Sequence, residues 1–254
     1  MKLNVKQKTA LKRGFLFFVL TLVFSAVLSY IGMRAGLDQP ILVLLYSFGV
    51  VLAVLAMRGM SQVPLGNLKN TGYLYFVALI LPLVYVAALF LFTEELAIFS
   101  SDIMFLLAPA ALFVLISSFF EEVGWRGFLF SALKPFTWGW RNIIIGLFWA
   151  LWHFPAIFAG SYNIGDSLFV GLLLFTLNVT LLSFVIAWFR AKTDGIIAGT
   201  LLHATHNLSY LWIGGAFHLA EQDLLSIGES GWLLTIVLVI LILIFRAWKQ
   251  PKKA

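Results

Sequence analysis

Two adjacent carboxylates and an arginine interrupt FFEEVGWRGFLF, the apolar stretch from Phe119 to Phe130. Further along, His153 closes WALWH, and His203 and Asn207 frame HATHN. The chain has no cysteine, so thiol nucleophiles and thiolate metal ligands are excluded. A carboxylate, two imidazoles and a carboxamide suit hydrolysis by an activated water: a base takes the water's proton, and donors stabilise the oxyanion that forms at a carbonyl. Peptide-bond cleavage is the natural candidate. In this reading Glu121 is the general base and His153 helps hold the water. His203 and Asn207 form the oxyanion hole, a role that suits asparagine, a sound donor and a poor zinc ligand. Glu122 and Arg126 are four apart and share a helix face, so they can pair. Glu121 projects about 100° away from Glu122 and is left available.

These groups need elements to carry them. The 254 residues are 62% hydrophobic and only 11% charged, with a mean hydropathy of +1.00. That leaves too little polar surface to coat a soluble globule and predicts an all-α, polytopic membrane protein. A spanning helix needs about 20 mostly apolar residues, and eight stretches approach that length: Gly14 to Met33, Pro40 to Met57, Gly72 to Phe92, Ile103 to Phe120, Asn142 to Gly160, Ser167 to Phe189, Gly195 to Ile213 and Gly231 to Trp248. The fourth is expected to continue past its carboxylates as an amphipathic or partly re-entrant helix through GFLFSALK, ending near Pro135. The basic N-terminus runs into a span without a convincing cleavage site and reads as a retained first helix. No linker or repeat divides residues 1–254, which read as one domain.

With both termini cytoplasmic, sixteen of the 17 basic residues fall on the cytoplasmic side, leaving Arg34 outside. The opposite side takes Asp38, Glu94, Glu95, Asp102, Asp166, Glu221, Asp223 and Glu229. The net charge of +6 is thus explained by membrane orientation, not by nucleic acid, since no single basic patch forms. From the cytoplasmic helix ends, His153 lies roughly 16 Å deep and His203 roughly 12 Å deep, while Glu121, entering from the other side, lies roughly 28 Å along its helix. The three can line one inward-opening cavity, with Pro155 kinking the span beside His153.

Each polar residue also has a structural reading. An ionisable group at membrane depth costs roughly 2.5 to 3.5 kcal/mol and needs a partner or a task. Glu122 and Arg126 alone fit an ion pair, His206 fits a packing histidine, and Asn178 fits an interhelical contact. Gly195 and Gly199 fit close helix packing. Trp138, Trp140, Trp232 and Trp248 fit interface anchors. Two other function classes use buried Glu and His: an ion-coupled transporter, and a non-catalytic immunity or scaffold protein in the membrane.

Three motifs bear a family resemblance. EEVGWR matches EExxxR, WALWH matches FxxxH with Trp149 in place of Phe, and HATHN matches HxxxN. In order, over about 117–210, they resemble the CAAX prenyl protease type II and bacteriocin-processing family of intramembrane proteases, also called CPBP or Abi. The resemblance implies an eight-helix membrane fold. It carries the base onto Glu121, water positioning onto His153, and oxyanion stabilisation onto His203 and Asn207. Trp149 keeps an aromatic wall but alters pocket shape. Such proteins are commonly labelled metalloproteases, so two schemes stay open: metal-free glutamate chemistry, or Zn2+ held by Glu121, His153 and His203. The implied substrate is a peptide or protein, lipidated or membrane-tethered, met in the lipid bilayer, and the compact loops suggest a multi-pass protein of a prokaryotic cell membrane.

Overall fold

The computed structural model describes residues 3–69, 71–90, 101–160, 164–165, 167–216 and 228–247, with side chains for all of these except 86–90, 101–109 and 211–216. Several charges used above to orient the chain, among them Glu94, Glu95, Asp166, Glu221, Asp223 and Lys252, lie outside the described residues, as does Trp248. Every expected span is found as a helix: α1 (Val5–Arg34), α2 (Gln39–Ala56), α3 (Gly72–Phe90), α4 (Ser101–Glu122), α6 (Trp138–Phe158), α7 (Leu168–Thr193), α8 (Ile197–Ala216) and α9 (Trp232–Ala247). A three-residue helix, α5 (Phe130–Ala132), lies between α4 and α6. No strand occurs among the described residues.

Local chemistry sets several ends. Asn4 caps α1 in a reciprocal capping box with Gln7, which satisfies donors at the helix start. Ser167 caps α7, which stops at Asp194 in a left-handed conformation. Four helices, α1, α2, α6 and α7, are long and apolar enough to cross a membrane by length and composition. By the same measure α9, with 16 residues, is short, covering about 24 Å.

The distribution of side chains is that of a protein in lipid. Large apolar residues such as Phe15, Phe76, Phe169 and Leu173 face outward, while Glu121, Glu122, Arg126, His153 and His203 are buried. With no water in the hydrocarbon, helices are the form that satisfies each backbone group within its own segment. α1 packs along α2, α6 along α7, and α9 against α7, while α8 is flanked by α3 and α4. The polar residues therefore come from helices that touch.

The segment after α4 departs from expectation. The helix does run on past the carboxylates, through α5 to Ala132, but Val123–Leu129 winds as a π-helix with all seven residues buried. It is clamped on several sides. A Cβ on Gly124 would stand 2.1 Å from Val50 Cγ1 and 2.9 Å from Phe17, so only glycine lets this turn press against α1 and α2. Arg190 Nε on α7 donates to the Arg126 carbonyl at 3.1 Å, taking up an acceptor in the widened turn. π-turns of this kind recur at functional sites.

Candidate active site

The last turn of α4 presents Glu121 and Glu122 side by side, and the structure gives them different neighbours. Glu122, fully buried, accepts from Arg126 Nη1 at 2.8 Å, the i,i+4 pair read from the sequence. The same oxygen, Oε1, also accepts from His203 Nδ1 at 3.0 Å. Glu122 thus links α4 to α8 as well as neutralising Arg126. Gly199, one turn before His203, makes room for this: a Cβ there would stand 2.8 Å from Ile186 and 3.6 Å from Glu122 Oε2.

Glu121 accepts one hydrogen bond, at Oε2 from Trp149 Nε1, 2.7 Å away. Its other oxygen, Oε1, accepts none among the described residues and is not one of the fully enclosed polar atoms without a partner. That oxygen therefore keeps accessible surface. Trp149, on α6, is the hub of the cluster. The Arg126 guanidinium lies over its ring at 4.2 Å, and its ring meets His203 edge-on at 5.0 Å. Its carbonyl lies 2.8 Å from His153 Nδ1. A carbonyl can only accept, so Nδ1 of His153 carries the proton and Nε2 the lone pair.

Beside this cluster is a small cavity. Trp149, His153, His203 and Asn207 all line it. Glu121 is not on its wall and joins it through Trp149. The Asn207 carboxamide has no hydrogen-bond partner among the described residues, which leaves its N–H groups for a ligand. His206 also reaches the cavity, but its Nδ1 is hydrogen-bonded to the Tyr85 hydroxyl and its ring packs on Tyr210, as expected of a packing histidine.

The zinc scheme fares less well on geometry. No three Asp, Glu or His side chains among the described residues converge at metal-ligating spacing. His203 Nδ1 is committed to Glu122 and His153 Nδ1 to a carbonyl. Glu121, His153 and His203 as placed do not form a ligand set.

Two residues at the cavity were not assigned to a site from sequence. Asn178 of α7 does make an interhelical contact, accepting from Thr235 Oγ1 of α9 at 2.6 Å. Its Nδ2 also donates to the carbonyls of Glu229 and Gly231, both at 2.9 Å. It therefore holds the turn before α9 against the cavity, and Glu229, read above as a loop acid, lines the wall. The asparagine in the middle of an apolar span was the one sequence signal available.

The comparisons agree with the motifs. The family model described as type II CAAX prenyl endopeptidase Rce1-like matches residues 103–209. A CAAX prenyl protease 2 from Methanococcus maripaludis is 34% identical over 117 residues, covering 44% of this chain and 41% of that relative. The chain thus spans about two fifths of the relative's length. The matched region holds every residue of the cluster, and over it the chain is similar to the type II CAAX prenyl endopeptidases.

Proposed function

We propose that the protein is an intramembrane endopeptidase that hydrolyses peptide bonds with a water activated by Glu121. The observation that carries this is the division of labour between the two carboxylates: Glu122 is fully enclosed and engaged through Oε1 by Arg126 and His203, whereas Glu121 has one oxygen held by Trp149 and one that keeps accessible surface. A water beside Oε1 loses a proton to it as its oxygen attacks the carbonyl carbon. His153, on the same cavity wall, orients the water. The developing oxyanion is met by Asn207 Nδ2–H and by His203, which donates through Nε2 while Nδ1 donates to Glu122.

The substrate is a peptide or protein segment that reaches the site within the bilayer, lipidated or membrane-tethered. The cavity faces the cytoplasm. Glu229, in the turn at residues 228–231, is part of its wall. The membrane is the prokaryotic plasma membrane. The test is cleavage profiling of the purified protein against a peptide library in nanodiscs, with Glu121→Gln as control. Cleavage that the control retains in full, or ion-coupled flux in proteoliposomes without any cleavage, refutes the reading.

A further inference from the structure

We infer that Glu229 is a second acid–base residue of the site, the one that delivers a proton to the departing amine. This rests on the peptidase reading above. Glu229 shares the cavity wall with His153, His203 and Asn207. The Asn178 side chain donates one hydrogen bond to its carbonyl and another to that of Gly231, and that asparagine is itself held by Thr235. A connecting turn pinned this way presents its side chain at a defined place.

Amide hydrolysis needs such a group. The water's oxygen bonds to the carbonyl carbon while Glu121 takes one of its protons. When the oxyanion collapses, the C=O bond re-forms and the C–N bond breaks. The nitrogen leaves with the bond pair and takes the proton of the Glu229 carboxyl. The water's second hydrogen stays on the product acid, and the proton on Glu121 returns through water to Glu229. Nothing is oxidised or reduced. Of the groups already assigned, His203 is engaged with Glu122 and the oxyanion, and Asn207 does not ionise.

The surroundings suit an acid near neutrality. Burial pushes the Glu229 carboxyl up to about 7, with His203 opposing and Glu121 adding to the rise. The titratable groups around it are Glu121 of α4, His153 of α6, Tyr85 of α3, and His203, His206 and Tyr210 of α8. α7 and α9 contribute uncharged Asn178 and Thr235. The acid form is lost as pH rises through about 7, so amide cleavage should decline there.

The experiment compares a peptide with a nitrophenyl ester of the same acyl group, whose leaving group departs without a proton. In Glu229→Gln, peptide turnover should fall by the roughly 10²- to 10⁴-fold typical of lost acid–base catalysis and ester turnover by less than about tenfold. Glu229→Asp should recover part of the peptide rate. In the unsubstituted protein, the peptide reaction should show a decline above about pH 7 that the ester reaction lacks, a measurement independent of whether the variant folds. Equal losses on both substrates, no loss on either, or identical alkaline limbs overturn the inference. Absence of peptide cleavage by the unsubstituted protein instead refutes the peptidase reading.

Discussion

Replacing Glu121 by glutamine removes a base and almost nothing else. The amide oxygen can keep the 2.7 Å bond from Trp149 Nε1, and the side chain stays in the same place, 5% exposed. No charge is stranded, because the partner of Arg126 is Glu122, at 2.8 Å. Turnover should therefore fall by about 10²- to 10⁴-fold, or about 2.7 to 5.4 kcal/mol of transition-state stabilisation. KM and thermal midpoint should move little. The assay is kcat, KM and Tm on a fluorogenic peptide in nanodiscs, run beside Glu122→Gln. If Glu121→Gln turns over normally while Glu122→Gln is stable and inactive, the two carboxylates have exchanged roles and the proposed mechanism is wrong.

Glu122→Gln leaves Arg126 buried without its countercharge, so it should lose about 3 to 5 kcal/mol of stability, read by thermal denaturation. Adding Arg126→Met should restore part of this. Because Glu122 also holds His203 at 3.0 Å, the restored double variant should remain impaired in turnover, where a purely structural pair predicts recovery. Exhaustive chelation should leave activity intact, since Glu121, His153 and His203 do not converge as ligands; loss of activity that zinc restores would contradict this. In intact cells an impermeant thiol reagent should label Asp38→Cys and spare Lys6→Cys in this cysteine-free chain, and the reverse pattern would invert the topology.

The residues of the site were legible because the membrane makes them conspicuous. An ionisable side chain in an apolar span is costly, so the few present stand out without any structure. Spacing then revealed what is local: Glu122 and Arg126, four apart, are paired as read. It was silent on what is remote. His203 lies 81 positions from Glu122 and Trp149 lies 28 from Glu121. Each contact depends on how two helices are rotated about their axes, which hydropathy does not encode. Glu229 was missed for a related reason. Its placement in a loop was correct, but loop residues are located by what grips them, and here the grip is Asn178, 51 positions away.

The π-turn shows how the local and remote contacts depend on each other. A regular helix continuing from Glu122 would also bring residue 126 onto the same face, so the ion pair alone does not require a widened turn. The widened turn accompanies the packing of Gly124 between Phe17 and Val50 and the seating of Arg190 on the Arg126 carbonyl. Both fix the backbone of Arg126 from outside α4. With that backbone fixed, its guanidinium spans from Glu122 Oε1 to the face of Trp149, and Trp149 in turn holds Glu121 and His153. The arginine thus ties the orientation of Glu121 to that of His153 across two helices. The second carboxylate of FFEEVGWR holds that arginine in place through Oε1.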